Sequence, residues 1–238
     1  MKTNRIFFSA KLMSLALFMF MLSGCGEMTN EEINNPELIK GIVADGAWNV
    51  TVYQSETPNA YIDYKDSYSV TAEVRSDGYL HLKSKTNILK PVNLKKNLKA
   101  VVEIPYIEYI KASGASDISL NGRFEGDHCK IDLSGASDVK HFDYYGNTLE
   151  LDLDGASDCN MSGEGNHVKI SGSGASNIKM LNFTTGTLDI NLSGASDAEI
   201  TVNERATGKL SGASDLKYRG NADVSDVKTS GASNVKKK

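Results

Sequence analysis

Five aspartates recur at nearly even intervals along this sequence: Asp117, Asp138, Asp158, Asp197 and Asp215. Asn177 and Asn234 take the same place in two further repeats, and a serine precedes each of the seven positions. Such a row of carboxylates could hold Ca²⁺, a hard cation that collects about six to eight oxygen ligands. The same residues also suit purely local chemistry, because Ser and Asp side chains hydrogen-bond nearby backbone amides and stabilise turns. Two features favour the turn reading. The Gly-Gly-x-Gly-x-Asp spacing of calcium-binding β-rolls is missing, and a neutral amide fills two of the seven places. Like charges one strand spacing apart repel by only ~0.9 kcal/mol in water, so a solvated ladder can stand without a metal.

The residues around these aspartates define the elements that carry them. Ser-Gly-Ala-Ser-Asp, or a near variant, occurs seven times, with its glycine at 114, 135, 155, 174, 194, 212 and 231. A near-constant period of about twenty residues marks stacked structural units. Apolar and polar residues alternate on both sides of each motif, as in Leu149, Leu151 and Leu153 before one and Ile178 and Met180 after another. That alternation is the signature of strand. Units with one apolar face bury it only by stacking, at about 4.8 Å per coil. The expectation is an all-β, single-stranded, right-handed parallel β-helix of seven coils. Its apolar columns include Ile118, Val139, Cys159, Ile178, Ala198, Leu216 and Val235. The motif glycine fits a corner with unusual backbone angles, and the motif alanine is expected on a narrow interior edge. Residues 41–110 lack the motif but keep strand texture, and are expected to form irregular first coils that cap the helix.

In this register the other reactive side chains do not gather. His128 and His167 fall two coils apart, roughly 10 Å, too far to share a metal. His141 falls in a column otherwise held by Leu120, Met161, Met180 and Ile200, and reads as a partly buried histidine with a partner; His81 stands alone in a strand. Cys129 and Cys159 fall at apolar positions in different columns and read as buried thiols. Polysaccharide-active β-helix enzymes need acids grouped with a base or an arginine. Arg123 and Arg205 sit in no evident acid cluster, and no pair of carboxylates is set apart for hydrolysis. The chain therefore reads as not an enzyme, with a polysaccharide-active enzyme as the least favoured alternative. Its formal charge of −4 argues against nucleic acid. The one basic stretch, Lys83 to Lys99, reads as a solvated loop around 86–98.

The N-terminus is set aside as a targeting segment. Lys2, Arg5 and Lys11 precede an apolar run from Leu12 to Leu22, too short to span a bilayer as a helix. Leu22-Ser23-Gly24-Cys25 resembles the lipobox of bacterial lipoproteins. That resemblance implies cleavage of residues 1–24, lipidation of Cys25 and an outer-membrane lipoprotein facing either the periplasm or the surface. Residues 25–40 then read as a polar tether and 41–238 as the folded domain.

Together the lipobox, Gly46-Ala-Trp-Asn-Val50 and the repeated pentapeptide resemble the family called putative autotransporter adhesin, head GIN domain, of Bacteroidota-type lipoproteins. The resemblance implies a β-helix in the cell envelope with an adhesin role. The function expected is a membrane-tethered, non-catalytic binding module with a glycan or protein surface as ligand. An envelope-structural protein that associates with itself and takes no external ligand is the alternative.

Overall fold

The structure, a computed structural model, describes residues 28–65, 68–86 and 98–238. The described residues form seventeen strands and one short 3₁₀ turn, Pro36–Leu38. The strands are β1 (Met28–Glu32), β2 (Gly41–Gly46), β3 (Trp48–Gln54), β4 (Asn59–Lys65), β5 (Tyr68–Val74), β6 (Tyr79–Thr86), β7 (Leu98–Ile104), β8 (Tyr109–Gly114) and β9 (Asp117–Asn121). They continue with β10 (Arg123–Leu133), β11 (Asp138–Leu153), β12 (Asp158–Gly172), β13 (Asn177–Leu192), β14 (Asp197–Leu210), β15 (Asp215–Arg219), β16 (Asp223–Thr229) and β17 (Asn234–Lys237).

From β8 onward every pairing is parallel, and the repeats stack in the expected register. Asp117, Asp138, Asp158, Asn177, Asp197, Asp215 and Asn234 are successive partners. The second flat stretch of each coil runs in register too, as in Ile131, Leu151, Ile170 and Ile190. Alternate residues point inward, and one continuous core runs through the stack. Phe124, Phe142, Tyr144 and Phe183 supply its largest side chains in the middle coils. Cys129 and Cys159 are free and buried in this core. Burial pushes the Cys159 thiol up to about 12 and that of Cys129 higher still, so neither is poised to react.

The corner depends on glycine. All seven motif glycines have φ between +72° and +79°. A Cβ at any of them would lie 2.4–2.6 Å from the carbonyl oxygen of the corresponding glycine one coil below. Across that gap the next alanine N–H donates to the glycine carbonyl, at 2.7–2.8 Å in every coil. The inter-coil hydrogen bonding thus continues round the bend, which leaves no room for a side chain there.

At four points the structure adds detail that the spacing alone did not give. First, the repeat begins earlier than its spelling shows. Gly46 pairs with Gly114 and Asn49 with Asp117, so Asp45-Gly-Ala-Trp-Asn49 is an eighth corner with Trp48 in the serine position. Second, the early coils do not stack in chain order. β6 and β7 lie beneath β2 and β3, while β8 and β9 lie above them. Antiparallel strands then close this end, β5 on β6, β4 on β7 and β1 on β4. Third, the segment read as a tether is part of the fold from Met28 onward. β1 is paired along its length, and Ile33 and Ile39 are buried because they cover the core at this end. Fourth, His141 does not share the column of Leu120 and Met161. It is exposed with φ 59°, the register shifts there, and Phe142 takes the inward place opposite Met161. A left-handed residue can expel one surplus position and let the larger apolar ring fill the core.

The corner geometry gives a direct expectation. Gly194→Ala puts a methyl group onto the Gly174 carbonyl and forces alanine into a left-handed conformation. It should cost about 3 kcal/mol, seen as a lower urea midpoint.

Candidate functional site

The motif divides its five residues between inside and outside, and the division differs from the sequence expectation. The alanines point outward: Ala136, Ala156, Ala175, Ala195, Ala213 and Ala232 are exposed and Ala115 is half-buried. The fourth-position serines are the inward residues, and six of the seven are fully buried. A hydroxyl in the narrow interior of a tight turn can satisfy itself locally, which a methyl group need not do. Ser157, Ser176, Ser196 and Ser214 each donate to the carbonyl three residues earlier, at 2.8–3.0 Å. Several also accept from the coil below: Trp48 N–H reaches Ser116 Oγ at 3.3 Å, and Ser214 N–H reaches Ser233 Oγ at 3.2 Å. The hydroxyl therefore closes its own turn and joins it to the next. Ser137 Oγ has no partner despite its burial.

The aspartate row lies outside this seam, and the structure brings all five candidate residues together in one column. Its side chains bond along the column. Asp158 N–H donates to Asp138 Oδ1 at 3.3 Å and Asp215 N–H to Asp197 Oδ1 at 3.1 Å. Where asparagine interrupts the row, its amide donates to the carboxylate below, Asn177 to Asp158 and Asn234 to Asp215, both at 3.1 Å. Lys140 sits between Asp117 and Asp138, at 3.6 and 3.0 Å. The Asp138 hydrogen bond is the main cause holding its ammonium pKa above the ordinary value. Among the described residues no three His, Cys, Asp or Glu side chains converge as a metal site.

The remaining reactive side chains are distributed as surface pairs. His128 and His167 both face outward, separated in register by Thr148. His81 is not alone: its Nε2 lies 2.9 Å from Asp77 Oδ2. Arg123 pairs with Glu125 at 2.9 Å and stacks 3.6 Å over the Tyr145 ring, and Arg205 pairs with Asp226. Cys25 lies outside the described residues, as do Lys90, Lys95 and Lys96 of the basic stretch.

One concave surface stands apart from the ladders. On the side of the stack, Tyr79, Tyr106 and Tyr109 line an open groove of about 860 Å³ that continues past Glu108, Asp127 and Lys130. Nothing in the repeat announced it, because these tyrosines lie outside the periodic motif. The available signal was the clustering of aromatic residues in 41–110.

The chain belongs to the family described as "Putative auto-transporter adhesin, head GIN domain", whose model matches residues 40–222. Solved structures share the fold. One is described as a putative adhesin from Bacteroides fragilis: it is 18% identical, covers 91% of this chain and 98% of its own, and has a TM-score of 0.75. A putative adhesin from Parabacteroides merdae is 17% identical, covers 90% and 98%, and has a TM-score of 0.61. A protein from Parabacteroides distasonis called a putative lipid binding protein is 14% identical, covers 90% and 97%, and has a TM-score of 0.61. No functionally curated protein matches the chain.

Two outcomes follow for the seam and the ladder. Ser196→Ala strips the Ser193 carbonyl of its donor and should cost about 1–2 kcal/mol, whereas Ser137→Ala, at the unpartnered hydroxyl, should be neutral within about 0.5 kcal/mol. Thermal melts of both variants check this. Because amides and Lys140 already serve the ladder carboxylates, adding Ca²⁺ or a chelator should leave the melting temperature unchanged. A calcium-dependent rise would assign Asp117, Asp138, Asp158, Asp197 and Asp215 to the ion.

Proposed function

We propose that this chain is a non-catalytic binding module of the bacterial cell envelope, tethered to the outer membrane by lipid on Cys25. The observation that carries this reading is the pairing of its reactive groups. Ladder carboxylates are bonded by backbone amides, asparagine amides and Lys140, Arg123 and Arg205 each pair with an acid, and the buried thiols are silenced by desolvation. What the body offers a partner is a rigid polar surface with one aromatic groove. Membership of an adhesin-like family agrees with binding as the role.

The position of the first strand bears on how the body is held. β1 begins at Met28, three residues after Cys25, and is the outermost strand at the capped end. Three residues span at most about 10 Å. With lipid on Cys25, the capped end therefore faces the bilayer closely and the C-terminal coil points away from it. Among the described residues no helix is long and apolar enough to cross a membrane, and acyl chains would supply the attachment.

Fractionation and protease shaving test the reading. Cys25→Ala should move the protein from the membrane to the soluble fraction without changing its circular dichroism. On intact cells the wild-type body should be cleaved from the surface. A body fully protected in intact cells, but cleaved in lysed ones, would overturn surface adhesion in favour of the envelope-structural alternative.

A further inference from the structure

The groove on the side of the stack is built in a way that the rest of the surface is not. In register, Gly41 of β2 lies between Tyr79 of β6 below and Tyr109 of β8 above. Their strands are two spacings apart, about 9.6 Å, yet their ring centroids are only 5.0 Å apart, at an interplanar angle of 40°. The rings lean together over the glycine. A Cβ at position 41 would come within 2.6 Å of the Tyr79 ring and 2.8 Å of the Tyr109 carbonyl, so glycine is what allows them to meet. Tyr106, on the turn between β7 and β8, adds a third ring to the groove and is 42% exposed, one of only three large apolar or aromatic side chains left so open among the described residues.

The polar groups around these rings are bonded to one another. Tyr109 donates its hydroxyl to Asp132 at 2.6 Å, and burial, with that bond, raises its pKa well above the ordinary phenol range. Lys130 is shared between Asp132 and Asp152, at 3.3 and 3.1 Å. Lys40 pairs with Glu108 at 3.7 Å and lies 5.9 Å from the Tyr79 ring centroid. The groove thus combines apolar ring faces with both donors and acceptors; its ammonium groups are engaged by carboxylates, and carboxylates are in surplus, since Lys130 serves two aspartates and Asp127 adds a further acid, which disfavours an anionic ligand. A strongly charged ligand would have to compete with these pairs. A neutral sugar needs nothing displaced: the C–H face of a pyranose lies on an aromatic ring, and its hydroxyls bond the carboxylates and ammonium groups at the rim. Rings with an apolar body and polar tip, in a concave site with a few fixed polar groups, suit such a ligand.

We infer that the Tyr79–Tyr106–Tyr109 groove is a binding site for a neutral saccharide. This rests on the binding-module reading and gives it a location and a ligand class. It also puts recognition on the side of the stack, across β6, β8 and β10, away from the aspartate ladder.

The test uses the full chain in detergent against a panel of immobilised neutral oligosaccharides built from glucose, mannose, galactose and N-acetylhexosamines, with uronate and sulfated oligosaccharides and a polylysine peptide alongside. Wild type should be retained on at least one neutral oligosaccharide. Tyr106→Ala, on an exposed ring that the fold does not need, and Tyr79→Ala should each weaken that retention tenfold or more at unchanged melting temperature for Tyr106→Ala. Equal retention by wild type and Tyr106→Ala would overturn the groove while leaving the binding-module reading intact. Retention only on anionic sugars or only on polylysine would overturn the ligand class. No retention on any saccharide would overturn the inference outright, and the shaving experiment would still decide the broader reading independently.

Discussion

Everything in this molecule follows from stacking parallel strands in register while the chain turns a tight corner once per coil. Strands accept the regular spacing readily; corners do not, because a bend usually breaks the hydrogen-bond ladder. Here the alanine N–H of each coil still reaches the glycine carbonyl below it. That contact is possible only with no Cβ between the two coils and with a positive φ at the glycine. The pentapeptide is the solution to this constraint, repeated for every coil that needs it.

The same constraint explains where polarity goes. In the seven motif corners the inward place is held by serine, whose hydroxyl in most of them bonds its own turn, and only the first corner fills that place with a large side chain, Trp48. The wider parts of each coil hold phenylalanine, leucine and isoleucine. Outside, carboxylates brought within one strand spacing of each other are served by backbone amides, asparagine amides and lysine. The exterior is thereby saturated with its own contacts over much of its length. The tyrosine groove is conspicuous because one of its rings, Tyr106, stays open to solvent.

Much of the fold was legible in the sequence because periodicity carries register information directly. The column Ile118, Val139, Cys159, Ile178, Ala198 and Leu216 is buried as its spacing requires. What the spacing could not convey was direction. The exchange of alanine and serine across the seam turns on hydrogen bonds to main-chain atoms three residues away, and hydrophobicity alone assigns it the wrong way round. His141 was misplaced because counting assumes an unbroken strand, and one left-handed residue shifts the count. The corner at Trp48 was hidden by three substitutions in five residues, at Asp45, Trp48 and Asn49, although Gly46 and Ala47 are spelled as in the later repeats. The groove was beyond reach of any periodic pattern, because it joins β6 to β8 through β2, and that order of layers is set by the antiparallel cap.

That order of layers also gives the molecule a direction of growth. The coil of β2 and β3 is sandwiched by strands that come after it in the chain, and its lower neighbours are complete only at Ile104. A chain that emerges N-terminus first must hold about a third of its length without a finished edge, and its first long-range pairings are costly in loop entropy. Once the cap closes, the situation reverses. Each following turn lies on an edge already formed, about twenty residues from the last contact, so assembly becomes local and one-directional, in the manner of a template extended by its own product.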